Sequence, residues 1–220
     1  MHPLAWMDVI SNDIERSLGC YANLFGWTSE RVLLEAGGEY RVVRAGDVIV
    51  AGAEQVAAER DLEATWTLMI EADDARPLID SAVAAGAVES SVLAPLADLG
   101  SLAMLRDPWG ATLGVWQPGP FRPSATPLRS GSLVGGVLQT PNPRAAVDFY
   151  SRILGWRTTR RGLDAGLPVR VVRQRGAAHF TPVMHRSLGS AESVEASVQA
   201  CTELTDPMGA HFFVTTKARW

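Results

Sequence analysis

Proton transfer is the chemistry this chain's reactive residues suit best. Asp8 lies two residues from both Trp6 and Ile10 in a run, Leu4 to Ile10, whose alternation suits a strand, so carboxylate, indole and aliphatic chain share one face. Taking a carboxylate out of water penalises its charged form and raises its pKa, which makes Asp8 a candidate general acid or base. Glu71, in the strand-like run Thr65 to Ala72, has the same capability. His211, opening the last strand-like run, could act near neutral pH without any metal. Cys20 and Cys201 are the only cysteines, too few for a disulfide framework and without metal-finger spacing, and they read as small buried apolar residues. No glycine-rich phosphate loop follows a strand and no serine nucleophile elbow occurs, which disfavours nucleotide-driven chemistry.

The elements that must position these groups are written twice. Ser11 to Trp27 returns as Thr140 to Trp156 at a spacing of 129 residues, with Tyr21, Gly26 and Trp27 matched by Tyr150, Gly155 and Trp156. The same register carries Tyr40-Arg41-Val42-Val43-Arg44 onto Val169-Arg170-Val171-Val172-Arg173. A further pair, Asp107-Pro108-Trp109-Gly110-Ala111 and Asp206-Pro207-Met208-Gly209-Ala210, is offset by 99, so the second copy has lost 30 residues between landmarks. Each copy reads as a strand, a capped helix ended by glycine, a hairpin, and a turn into a closing strand. In the first copy a strand over Thr65 to Ala72 and a helix over Ala75 to Ala85 intervene. The second copy reads as a hairpin over about Val169 to Met184 that passes through Ser190 to Val198 to its closing strand, so the loss falls on that strand and helix, the helix being the firmer loss. Gln117 to Ser132, rich in Pro, Gly and Ser, is the connection.

A βαβββ module repeated in one chain, with the D-x-x-x-S-x-x-x-Y-x-x-x-x-G-W helix and the D-P-x-G turn, resembles the vicinal oxygen chelate superfamily, which includes glyoxalases, bleomycin-resistance proteins and extradiol dioxygenases. The resemblance covers residues 4–117 and 133–216. It implies an α+β fold of two tandem βαβββ modules forming a cupped mixed sheet, with the second module shortened by about one strand and helix. The corresponding segments are 1–117, a linker over 118–132, and 133–220. It also implies where metal ligands would stand. Those positions are Trp6, Thr67 and Gly114 in the first module, and Gly135 and Phe213 in the second. Indole, glycine and phenyl groups cannot replace the imidazole and carboxylate that a catalytic divalent ion requires, so no bound metal and no other cofactor is expected. An ion held instead by Asp8, Glu71 and His211 is the competing expectation.

Parity along the strands then assigns the cup's lining: Trp6, Ile10, Thr67, Met69, Thr112, Gly114, Trp116, Gln139 and Phe213, with Asp8, Glu71 and His211 as acid or base. Two indoles beside a glycine gap suit a flat conjugated ligand, and they suit equally a plug of core packing. Trp27, Trp156 and Trp66 read as packing residues. Arg41, Arg44, Arg170 and Arg173 read as rim charges. Two functions stay open. One is a metal-independent tailoring enzyme of specialised metabolism that isomerises, cyclises or eliminates on an aromatic or polyketide-like substrate. The other is a non-catalytic protein that sequesters such a molecule, as resistance proteins of the bleomycin type do.

Composition bounds the partners. With 220 residues, 47% hydrophobic and 20% charged, the chain reads as globular, and a net charge of −4 offers no basic field for nucleic acid. No run of about 18 apolar residues and no signal-like start occurs, so neither a membrane partner nor export is expected and the cytoplasm is the expected compartment. The shortened second module leaves a sheet edge or face uncovered, which invites a homodimer.

Overall fold

The computed structural model describes residues 1–33, 39–56, 64–96, 99–120, 129–186 and 202–215. The first half runs β1 (Leu4–Ser11), α1 (Ile14–Phe25), β2 (Thr28–Leu33), β3 (Glu39–Ala45), β4 (Val48–Gln55), β5 (Thr65–Glu71), α2 (Ala75–Ala84), β6 (Val88–Pro95), β7 (Gly100–Arg106) and β8 (Thr112–Pro118). The second runs β9 (Leu133–Thr140), α3 (Pro143–Leu154), β10 (Arg157–Thr159), β11 (Gly162–Asp164), β12 (Pro168–Arg173), β13 (His179–His185), β14 (Thr202–Thr205) and β15 (His211–Thr215). Each half builds one mixed sheet, ordered β2-β3-β4-β1-β5-β8-β7-β6 and β10-β11-β12-β9-β13-β15-β14. Two modules with few helices and tandem mixed sheets give the α+β architecture.

The repeated sequence repeats its local physics. Asp13 caps α1 by accepting from the Arg16 N–H at 3.2 Å, and Asn142 caps α3 by accepting from the Ala145 N–H. Both helices end on a left-handed glycine, Gly26 at φ 72° and Gly155 at φ 68°, a backbone that other residues adopt at a cost. One apolar stripe of each helix is buried: Ile14, Leu18, Tyr21 and Phe25 in α1, and Ala146, Phe149, Tyr150 and Leu154 in α3.

Pairing corrects the expected alignment of the second half. β12 lies parallel to β9 with Val169 opposite Gly136, as β4 lies parallel to β1 with Asp8 opposite Gly52. The counterpart of β12 is therefore β4, not the Tyr40–Arg44 strand that its sequence mimics. Nor do β12 and β13 form a hairpin. They flank β9 on opposite sides, and β13 runs parallel to β15 as β5 runs parallel to β8. Val-Arg-Val-Val-Arg fits either strand by alternation, and parallel pairing leaves no local signature, so sequence spacing chose the wrong partner. The strand matching Thr65–Glu71 is thus present. Among the described residues the second sheet instead lacks a counterpart of the outer strand β6, seven strands against eight. Ser190 to Val198 lies outside the described residues.

By compactness the chain divides into two units, Met1–Trp6 with Thr67–Ser124 and Gly136–Thr181, and Met7–Trp66 with Ala125–Gly135 and Pro182–Trp220. Each unit thereby combines one of the two repeated helices, α1 or α3, with the D-P-x-G turn from the other half of the sequence; the first unit also holds α2. In the first unit the Tyr150 hydroxyl donates to Asp107 Oδ2 at 2.8 Å, while Asp107 Oδ1 accepts from the N–H groups of Trp109 and Ala111. In the second unit the Tyr21 hydroxyl donates to Asp206 Oδ2 at 3.0 Å, and Asp206 Oδ1 accepts from the N–H groups of Met208 and Ala210. The repeated Tyr and the repeated turn Asp are thus the two ends of one buried lock. Aromatic rings close around each: Trp27, Trp66 and Phe212 lie 5.3, 5.3 and 5.4 Å from Tyr21, and Trp156 stacks on Tyr150 at 5.4 Å.

Candidate functional site

In the unit carrying Met7–Trp66, the most distinctive polar feature is a buried carboxylate. Met7 and Val9 are fully buried, whereas Asp8 and Ile10 occupy the opposite parity of β1. Asp8, 4% exposed, accepts a hydrogen bond from the Tyr40 hydroxyl at 2.8 Å, and Tyr40 is 2% exposed. Gly52 on β4 sits opposite Asp8, and a side chain there would overlap both the Tyr40 hydroxyl and the Asp8 carboxylate. Glycine is thus the residue that lets phenol and carboxylate meet. Tyr40 and Gly52 were invisible as site residues in the sequence, although parity on two adjacent strands is a signal that could have found them once the register was known.

In the other unit, Thr67, Met69 and Glu71 share the parity of β5, and Thr112, Gly114 and Trp116 that of β8, with Met69 opposite Gly114 and Glu71 opposite Trp116. Thr67, Met69 and Trp116 are buried, as is Trp6; Glu71 is half-buried and Thr112 exposed. The Trp116 indole N–H donates to the Leu99 carbonyl at 3.0 Å, which fixes the ring. The expected gap at Gly114 is filled from within. The Met69 thioether occupies the space a side chain at Gly114 would take, with a Leu102 methyl at its edge. The sulfur thus closes the gap with core packing.

The remaining expected site residues fall apart from these. Ile10, Gln139 and Phe213 are half-buried. His211 is on the second sheet, whereas Asp8 and Glu71 are on the first. Its imidazole side chain is 57% exposed, with Nδ1 3.3 Å from Glu203 Oε1 and 3.3 Å from Thr205 Oγ1. That is the environment of a surface hairpin pair. Cys20 has its thiol pKa pushed up, first by burial and then by the Asp206 carboxylate, which disfavours the thiolate. Cys201 lies outside the described residues. Arg41 departs from a rim charge: it is buried and ion-paired with Glu15 on α1. Trp66 and Trp27 belong to the packing around Tyr21, and Trp66 donates its indole N–H to the Tyr21 oxygen at 3.0 Å.

The donor set does not suit a catalytic ion. The pairing registers place Thr181 as the β13 counterpart of Thr67, because Met69 faces Gly114 and Val183 faces Phe213. The family's ligand positions are then Trp6, Thr67 and Gly114, and Gly135, Thr181 and Phe213, with hydroxyl oxygen as the one side-chain donor type among them. Among the described residues no group of three or more His, Cys, Asp or Glu is placed to hold a metal ion.

No family model matches the chain. By sequence it is 25% identical over 171 residues to a protein named as a glyoxylase, CFP32, of Mycobacterium tuberculosis. It is 28% identical over 172 residues to the anthracycline biosynthesis protein DnrV of Streptomyces peucetius. The matches span 76% and 72% of this chain, but only 66% and 62% of those proteins. The anthracycline biosynthesis protein DauV of Streptomyces sp. strain C5 is 26% identical over 222 residues, covering 91% of this chain and 81% of DauV. By structure, the Mn(II)-bound glyoxalase of Novosphingobium aromaticivorans superposes with a TM-score of 0.64 at 15% identity, over 99% of this chain and 84% of that one. The 2,3-dioxygenase LapB of Pseudomonas sp. KL28 gives 0.63 at 13% identity, over 97% and 91%. These two share the fold, the paired-module arrangement of glyoxalases and extradiol dioxygenases. With the sequence relatives, they are consistent with the resemblance to the vicinal oxygen chelate superfamily.

Proposed function

We propose that this chain is a metal-independent tailoring enzyme of specialised metabolism that acts on an aromatic, polyketide-like small molecule by proton transfer, with Asp8 as its acid/base residue. The observation that carries this reading is the Asp8–Tyr40 pair: a carboxylate buried on the same strand face as Trp6, hydrogen-bonded to a phenol over a glycine that makes room for both. The carboxylate takes a proton from a carbon adjacent to a carbonyl and returns it elsewhere on the same skeleton, so the step needs no oxidant or co-reactant. Tyr40 positions the carboxylate through the hydrogen bond its hydroxyl donates. The DnrV and DauV names favour an anthracycline-type substrate, and the ligand positions favour chemistry without a metal.

The test uses the untagged chain and a panel of anthracyclinones. Tryptophan emission should be quenched on binding, metal analysis should find well under one ion per chain, and product formation should persist in excess EDTA. Asp8→Asn should abolish turnover and leave affinity within about threefold. Tight binding without turnover by the wild type would establish sequestration and remove the enzymatic reading; a stoichiometric ion would remove its metal independence.

A further inference from the structure

Beyond the Asp8 face, the unit carrying α3 has a second feature that the proposed function does not use. An open groove of about 380 Å³ runs between the first turns of α3 and the β10–β11 turn, a volume within the range of small-molecule sites. Val147 and Val171 contribute an apolar floor, while Arg144, Arg160 and Arg161 surround it, with Asp148 as the single acidic group. All three arginines are exposed, and none forms an ion pair among the described residues. By contrast, the neighbouring Arg157 is committed to Asp164 at 2.5 Å.

The other half of the molecule supplies an internal comparison. The equivalent groove beside α1 and β2 measures about 200 Å³ and is lined by Glu15, Leu18 and Trp27, with no basic residue. Glu15 stands 129 residues before Arg144, and its carboxylate is already taken by Arg41. The fold therefore makes a groove here in either half, but only the α3 groove is enlarged and ringed by uncommitted guanidinium groups. A guanidinium fork matches a phosphate or carboxylate in two-point geometry, and a floor of valines takes an apolar body.

We propose that the α3 groove binds a small organic anion, a phosphate ester or carboxylate attached to an apolar group, independently of the Asp8 site. Calorimetric titration of the full chain with 1-naphthyl phosphate, 1-naphthoate and uncharged 2-naphthol tests this. At least one of the two anions should saturate one site, 2-naphthol should bind at least about tenfold more weakly, and the stronger anion identifies the headgroup. Arg144→Gln and Arg161→Gln should each weaken that anion about tenfold without moving the unfolding midpoint, and added NaCl should weaken it further. Asp8→Asn should leave the titration unchanged, so this site and the proposed catalytic face fail separately. Failure of both anions to saturate, equal affinity in the Arg144→Gln/Arg160→Gln/Arg161→Gln variant, or loss of binding in Asp8→Asn alone would overturn the proposal.

Discussion

Tyr21→Phe should destabilise this protein more than Tyr150→Phe, although both remove one hydroxyl from the same repeated motif. In the Tyr150 lock the hydroxyl makes one bond, to Asp107 Oδ2 at 2.8 Å, and Asp107 Oδ1 keeps its two backbone donors when the hydroxyl is gone. A hydrogen bond to a charged group contributes about 1.5–3 kcal/mol, so Tyr150→Phe should cost about 2 kcal/mol, or about 4–8 °C in Tm for a chain of this size. Tyr21 does more: it donates to Asp206 and accepts from the Trp66 indole N–H at 3.0 Å. Its loss also strands a buried indole donor, for which about 1–3 kcal/mol must be added, giving about 3–5 kcal/mol. Urea unfolding of the two variants, with Tyr40→Phe as a control outside the locks, measures the ranking. Equal costs, or Tyr150→Phe the larger, would refute the claim that a relay through Tyr21 distinguishes the locks.

Stability should fall with alkaline pH. Burial, then the adjacent carboxylate, raises both tyrosine pKa values above the ordinary 10.0, so the folded state keeps protons the unfolded state has lost. The stability is whole below about pH 10 and drops above it by up to about 1.4 kcal/mol per pH unit per tyrosine; the Tyr21→Phe/Tyr150→Phe variant should lose this slope in pH-dependent urea melts. Gly52→Ala forces apart the Tyr40 hydroxyl and Asp8. It should cost about 1–3 kcal/mol, and Tyr40→Phe in the same chain should recover part of that by calorimetry. Gly114→Ala should cost a similar amount through collision with Met69 and be relieved by Met69→Ala, a non-additivity read from the double-mutant cycle. His211→Gln should change anthracyclinone turnover less than twofold, because its imidazole is engaged at the surface with Glu203 and Thr205.

Local features of the fold could be read directly. Asp13, Asn142, Gly26 and Gly155 specify helix ends by capping and left-handed backbone, and the D-P-x-G turns follow from side-chain-to-backbone bonding by the turn Asp. Parity grouped Trp6, Thr67, Met69 and Trp116 as lining of a cup, and the structure shows them as buried strand residues. What escaped was non-local. Which strand neighbours β9 depends on crossovers rather than on residues within β12 or β13, so an alternating run of Val and Arg was matched to β3 instead of β4. The Asp8–Tyr40 bond joins residues 32 apart and depends on a register across β1, β4 and β3 that alternation alone does not set.

The two halves agree where residues hold the frame and disagree where the superfamily places its ions. Tyr21 and Tyr150 make the same hydroxyl-to-carboxylate bond, to Asp206 and Asp107, with Trp27 and Trp156 packed on the tyrosine rings, and each is tied to several partners, so changing one strands the others. Trp6 against Gly135 and Gly114 against Phe213 differ entirely in size and chemistry. Gly114 shows how such freedom is used. Its missing side chain is replaced by the thioether of Met69, a flexible group that can be displaced at lower cost than a branched side chain. Affinity for planar molecules should therefore rise when Met69 is shortened to Ala with Gly114 retained, and fall when Gly114→Ala fixes the sulfur elsewhere.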